Sequence, residues 1–374
     1  MRKKTGMKLT ILLFLGGLFT MNTACEKTED TVSITSNRDI TTTRIPGEWE
    51  EQAAIWMQWP NDWEADLRLS FVKIIAVVQQ YEAVHLFVRD DKMKTQAIRL
   101  FEDERITLIN VNFHKAAYDN AWLRDNGPVY VFDKTGKWNL DFGFNGWGSG
   151  FDKNGDVEYE NDDAIPGKIT SLLGCAYEDN NAYILERGNL EANGKDMVML
   201  NWDCQSDRNA DWTKERTEAY FREKFGITTV IWAHGHDPYD GTTGHIDGTA
   251  RFVNESTVAI ASIDPAIESY TGEAKNLDKL AAEARSAGLN VVRMPIPGSV
   301  KYEGEELPAM YMNYLVGNGF VLGMAFGNNE WDNAAKAQLQ SLYPARTVHM
   351  IEVNALWRSG GGIHCVTNDE PLFE

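Results

Sequence analysis

The run Thr213-Lys214-Glu215-Arg216-Thr217-Glu218-Ala219-Tyr220-Phe221-Arg222-Glu223-Lys224-Phe225 closes on Gly226 and leads into Thr229-Val230-Ile231-Trp232. It reads as helix, glycine stop and strand. Working outward, the same unit recurs. Glu64 to Gln80 carries Leu67, Phe71, Ile74, Ile75 and Val78 on one face and precedes the apolar run Val84 to Val88. Asn276 to Ala287, closed by Gly288, leads into Asn290 to Met294, and Asp332 to Leu342 leads through Pro344 into Thr347 to Ile351. A weaker unit covers Asp163 to Leu173, and a further helix is predicted near Lys92 to Glu102. Five or six such units, with strands such as Val129 to Phe132 and Thr249 to Val253 between them, predict an α/β protein.

The chain of 374 residues is 43% hydrophobic and 24% charged, enough to bury a large core. No Pro, Gly or Ser-rich linker divides its interior, so a single domain from about Arg44 to Glu374 is expected. The glycine-rich Phe144-Asn145-Gly146-Trp147-Gly148-Ser149-Gly150 reads as an ordered loop, because its aromatic residues need something to pack on. The formal charge of -19 disfavours nucleic acid and anionic membrane as partners and is compatible with a cationic substrate.

The N-terminus has a basic start, an apolar run from Leu9 to Met21, and then Asn22-Thr23-Ala24-Cys25. This is the layout of a secretory signal, too short for a transmembrane helix. The small residues before Cys25 resemble a bacterial lipobox, whose cysteine receives lipid and becomes the mature N-terminus, although Asn22 stands where Leu is usual. A plain cleaved signal peptide is the alternative. Residues 1–25 are therefore expected to be a lipoprotein-type signal ending at a lipidated Cys25. Residues 26–43, polar and without apolar period, are expected to be a flexible tether. The product would be an exported periplasmic or cell-surface lipoprotein, touching membrane only through its anchor. The sequence leaves a homo-oligomer open. Export would permit a bridge between Cys175 and Cys204. No CxxC pair and no HExxH occurs, which points away from a metal.

Arg358-Ser359-Gly360-Gly361-Gly362-Ile363-His364-Cys365-Val366-Thr367 delivers a cysteine just after three glycines, the means by which a backbone presents a nucleophile in a tight pocket. In Gly244-His245-Ile246-Asp247-Gly248, an extended chain would put His245 and Asp247 on one face. Trp122-Leu123-Arg124-Asp125-Asn126-Gly127-Pro128 places Asp125 just before a Gly-Pro turn, where it either serves a site or caps the turn. Glu186 follows Tyr183-Ile184-Leu185, as a site carboxylate or as the partner of Arg187. A Cys, a His and three carboxylates could serve a cysteine hydrolase. Several acids in one pocket are awkward around a peptide carbonyl, whose intermediate develops negative charge. They suit a planar cation rich in N-H donors, a guanidinium.

At these residues the chain resembles the agmatine deiminase family and its bacterial peptidylarginine deiminase relatives, within the guanidine-modifying superfamily. Ile45 to Glu50 with Trp56 to Pro60, Trp122 to Pro128, Leu185-Glu186, Gly244 to Asp247 and Gly360 to Thr367 carry the likeness in order. The resemblance implies a five-bladed, pseudo-symmetric α/β propeller (the pentein fold) and a hydrolase of amidine C-N bonds. It also implies Cys365 as nucleophile, His245 as proton carrier, Glu186 in support, and Asp125 and Asp247 gripping the guanidinium. Trp122 and Trp147 join the substrate-binding set, and no metal or organic cofactor is implied. Arg187, Gly362 and Asn368-Asp369 depart from the family pattern, and were expected at the pocket rim. Phe144 to Gly148 looks like the agmatine branch, and no Arg occurs from Asn126 to Glu186 to meet a substrate carboxylate. The expected reaction is agmatine to N-carbamoylputrescine and ammonia through a covalent cysteinyl thiouronium. Deimination of C-terminal arginine in peptides is the alternative, and a guanidine-binding lipoprotein without catalysis is a third reading.

Overall fold

In the computed structural model, residues 38–373 are described apart from 152–156, 238–239, 264–270, 297 and 309. Residues 1–25 with Cys25, and the expected tether as far as residue 37, lie outside the described residues. Among the described residues, five sheets repeat one plan, in which an antiparallel pair is extended by a parallel strand reached through a helix.

Asn368–Pro371 runs antiparallel to Gln52–Gln58, which pairs in parallel with Ala83–Val88 after the helix Arg68–Val78. A fourth strand, Val111–Lys115, joins this sheet after the helix Asp91–Asp103. The second sheet orders Val129–Asp133, Gly136–Gly143 and Ala176–Ile184, with Ile165–Leu173 as its crossover helix. The third orders Glu191–Ala192, Met197–Asn201 and Thr229–Ala233, with Lys214–Phe225. The fourth orders Ala250–Asn254, Thr257–Ile263 and Asn290–Ile296, with Thr271–Ser286. The fifth orders Leu315–Gly317, Phe320–Ala325 and Thr347–Glu352, with Asn329–Leu342. A separate hairpin pairs Ser299–Tyr302 with Glu305–Pro308.

The helices bury the faces the sequence assigns them. Phe71, Ile74, Ile75 and Val78 are fully buried and Leu67 nearly so, each contributing about 1.5–3 kcal/mol of apolar transfer. Thr213 caps its helix by accepting from the Arg216 N-H. Gly226 ends that helix at φ +69°, and a Cβ there would meet the Thr43 carbonyl oxygen at 2.8 Å. No helix among the described residues is long and apolar enough to cross a membrane.

Two expectations need adjusting. The tether does not extend to Thr43: Arg38 is buried, its Nε 3.1 Å from Glu178 Oε2, and the Asp39 N-H donates to Asp133 Oδ2 at 2.9 Å. Packing against the body therefore begins before Arg44. The stretch Gly244 to Gly248 is not the opening of a strand, because Ile246–Gly248 forms a turn of 3-10 helix and the strand starts at Ala250.

Candidate active site

In each of the five sheets, the segment entering the first strand carries a residue of one buried cluster. Asp125 precedes Val129–Asp133, and Glu186 precedes Glu191–Ala192. His245 and Asp247 precede Ala250–Asn254, Asn313 precedes Leu315–Gly317, and Cys365 precedes Asn368–Pro371. Contacts join them across the chain. Cys365 Sγ lies 3.7 Å from Asp247 Oδ2, and the Asn313 side-chain amide donates to it at 3.2 Å. Asn313 Oδ1 in turn accepts from the backbone N-H groups of His364 and Cys365, at 3.0 and 3.2 Å. The Arg124 N-H donates to the Cys365 carbonyl at 3.1 Å, tying the Asp125 turn to the loop that carries Cys365.

Burial pushes the Cys365 thiol well above its ordinary range, and the charges of Asp247 and Asp125 push the same way. The side chain is therefore a thiol until a cation offsets those carboxylates. A cavity of about 380 Å³ is lined by Cys365, His245, Asp247 and Asn313, with Leu280 and Met310 among its apolar walls.

His245 Nε2 sits 2.6 Å from Glu186 Oε2, whereas Nδ1 is 3.4 Å from Asp125 Oδ1 and has no hydrogen-bond partner. Burial alone would lower the imidazole. The Asp125 charge and the bonds with Cys204 and Glu186 outweigh it, and raise His245 well above its usual value. Burial likewise pushes Glu186 up, but Arg208 and His245 hold it down at about 2. Arg208 grips both carboxylate oxygens, Nε to Oε1 at 2.6 Å and Nη2 to Oε2 at 3.1 Å.

Asp125 sits in the single helical turn Leu123–Asn126, and burial raises it to about 6, against the pull of His245. The Trp147 indole N-H donates to its Oδ2 at 2.8 Å and the Gly188 N-H to its Oδ1 at 3.2 Å. Gly188 has to lack a side chain: a Cβ there would lie 2.5 Å from both Asp125 Oδ1 and His245 Nδ1. Two carboxylates and an imidazolium around one thiol can hold a planar cation against a nucleophile and supply a proton to its leaving group.

Residues 44–371 match the model of the Porphyromonas-type peptidyl-arginine deiminases. The chain belongs to this family. A relative is the agmatine deiminase of Ectopseudomonas mendocina, 28% identical over 358 residues, 87% of this chain and 95% of the other. The structure of the Enterococcus faecalis agmatine deiminase superposes with a TM-score of 0.79 at 22% identity, covering 90% and 98% of the two chains. A substrate-bound variant of the C. jejuni agmatine deiminase superposes with a TM-score of 0.76 at 24% identity, covering 88% and 96%. Members of the deiminase family are hydrolases of C-N bonds, and the mixed α/β fold is theirs.

Within this deiminase, the three departures from the family pattern lie away from the cavity. The alternative Glu186–Arg187 pair does not form: Arg187 turns to Asp369, with Nη2 2.7 Å from Oδ2, and donates to Asn368 Oδ1 at 2.9 Å. Arg187 and Asn368-Asp369 thus form one buried ion-pair assembly, which continues from Asp369 to Arg124 at 2.8 Å. Gly362 is packed, since a Cβ there would meet Asn313 Oδ1 and Met324 Sδ at 2.5 Å. The rim expectation fails because these positions are buried and none of them lines the cavity.

Trp122 and Trp147 do not line the cavity either. Trp147 stands behind Asp125, in a left-handed backbone conformation at φ +63°, and Trp122 lies against Gly361. Cys175 and Cys204 are unbridged, and Cys204 Sγ lies 3.7 Å from Glu186 Oε2. Among the described residues, Glu186 with Cys204 and His245, and Glu48 with Glu191 and His364, bring ligand-type atoms within 4.8 Å of one another. Arg208 at the first, and Arg124 and Arg251 at the second, already supply the positive charge there. Both sets fit ion-pair networks better than a resident metal. Asn313, His364, Glu48 and Arg208 were not expected in the site. Only Asn313 had a readable signal, its place ahead of a first strand.

Proposed function

We propose that this protein hydrolyses the guanidinium of agmatine to N-carbamoylputrescine and ammonia. The observation that carries the reading is two buried aspartates, Asp125 and Asp247, set around one buried thiol and one raised imidazole. The guanidinium nitrogens donate to the two carboxylates, and the bound positive charge lowers the Cys365 thiol, whose proton passes to water. The thiolate attacks the central carbon. His245, charged at the start, passes a proton to one amino nitrogen, and ammonia leaves as the C-N bond breaks. The remaining cysteinyl thiouronium is attacked by water whose proton goes to the now neutral His245. Collapse of that adduct breaks the S-C bond, passes the hydroxyl proton to the leaving sulfur, and yields the ureido product and the free Cys365 thiol. Glu186, anchored by Arg208, orients His245 throughout and favours its charged form at the start and end of the cycle.

A second reading, deimination of C-terminal arginine in peptides, is favoured by two features. The cavity has volume to spare beyond a nine-heavy-atom amine, and Arg358 lines it, its guanidinium paired with Glu303 and with Asp66 at 3.6 Å, partners that a peptide carboxylate would have to displace. Incubation with agmatine and with C-terminal arginyl peptides, followed by assay of ureido product, separates the readings. Agmatine is expected to turn over at least about tenfold faster by kcat/KM. The opposite preference would transfer the assignment to peptides, and no product from either would end both.

The repeated sheet plan supports a closed ring of five α/β units with the cluster at its centre. The basic start, apolar run and Cys25 support export and lipidation at that cysteine. Cys25→Ala is then expected to move the protein from the membrane fraction to the soluble one; retention in the membrane would defeat the anchor assignment.

A further inference from the structure

We propose that His364 is a second functional histidine, a positioning residue that, backed by Glu48, keeps Asp247 ionised and aimed at the substrate while His245 moves the protons. The inference rests on the deiminase reading above.

The two histidines occupy matching settings. His245 lies between Glu186 and Asp125, and His364 lies between Glu48 and Asp247. Each glutamate rests on arginine, Glu186 on Arg208, and Glu48 on Arg124 at 2.9 Å and on Arg251. The settings differ in one respect that decides the roles. His364 has both nitrogens engaged, Nδ1 2.7 Å from Asp247 Oδ2 and Nε2 2.7 Å from Glu48 Oε1. Both acids are held below the usual carboxylate range despite burial, so both oxygens accept and both ring nitrogens donate. A ring that donates from both nitrogens has no lone pair with which to take a proton from a reacting group. His245 keeps one nitrogen, Nδ1, without a hydrogen bond and facing Asp125.

The rest of His364 is fixed as well. It is fully buried, its N-H donates to Asn313 Oδ1, and its carbonyl accepts from Arg124 Nε at 3.2 Å. The charged groups packed around it are Glu48, Asp247, Arg124 and Arg251, with Glu191 behind Arg251 and Asp369 behind Arg124. Burial pushes Asp247 up. The hydrogen bond from His364 leads the opposing influences, followed by the charges of His364, His245 and Arg251. Without the His364 ring, burial gains the upper hand and Asp247 takes up a proton at higher pH. A protonated Asp247 cannot grip a cation, so the acid side of the activity profile moves upward.

The test is kcat and KM against pH for agmatine, with the full-length protein and the variants His364→Gln and His245→Gln. For His364→Gln, the expected result is a KM raised about tenfold or more, and an acid limb of kcat/KM shifted up by about one pH unit. His245→Gln should lose kcat with little change in KM. An unchanged KM and acid limb in a folded His364→Gln protein would overturn the proposal. Imidazole 15N spectra of the unaltered protein serve if that variant does not fold. One ring with both N-H protons shifted downfield by carboxylates supports the assignment, and its absence overturns it. If the unaltered protein makes no ureido product from any guanidine, the deiminase reading fails, and the spectra still judge the hydrogen-bond arrangement separately.

Discussion

Cys365→Ala is expected to lower ureido formation by at least about 10⁴-fold while leaving the thermal midpoint within a few degrees of the parent. The thiol is the sole cysteine lining the cavity among the described residues, and it fills little volume, so its loss removes chemistry without opening a large void. The same thiol should discriminate between alkylating agents. Burial and the charges of Asp247 and Asp125 keep it protonated. Iodoacetamide, which is neutral, leaves that balance unaltered and should react slowly. A chloroacetamidine carries its own cation into the cluster and should react much faster, with the advantage shrinking in Asp247→Asn. Comparable labelling by both reagents would contradict the idea that the substrate's charge activates the sulfur. Residual turnover in Cys365→Ala near the parent level would place the nucleophile elsewhere.

Arg208→Met is expected to cost roughly 3–5 kcal/mol of stability at neutral pH, because it strands the fully buried Glu186 with one partner in place of two. For a chain of this size that corresponds to a fall of about 4–6 °C in midpoint. The sign with pH follows from linkage. Glu186 is depressed to about 2 in the parent, so its pairing stabilises the fold above its unfolded value and is lost as pH falls through about 2. In the variant the carboxylate protonates at a higher pH. The gap between the two proteins is therefore full at neutral pH and narrows as acid is added. Calorimetry at a series of pH values reads it directly, and a constant gap down to about pH 3 would refute the account.

Much of this arrangement was legible in local patterns. Glycine stops, apolar faces or β-branched runs mark all five crossover helices and four of the strands that follow them, since each is decided within a dozen residues; Ala176–Ile184, polar through Glu178 to Asn181, carries no such mark. Cys365, His245, Glu186, Asp125 and Asp247 were likewise identifiable, and they do meet. The local backbone at His245 was not, because Gly244 and Gly248 admit a 3-10 turn as readily as an extended run, and Gly244 takes φ +93°. Partners decided over long separations were hidden too. Arg187 has an acid beside it in sequence but pairs with Asp369, and Glu186 finds Arg208 on another element. His364 stood inside a quoted motif with no role, since nothing local announces that Glu48 lies at its other nitrogen.

The cluster draws one segment from the entrance of each sheet, spanning the chain from Asp125 to Cys365. No fragment shorter than residues 125–365 holds all of it. Thiol reactivity toward a cationic reagent is therefore an all-or-none gauge of completed folding. A split or circularly permuted chain would register only once every piece had reassembled, which suits this protein to serve as a sensor of complementation between its own parts.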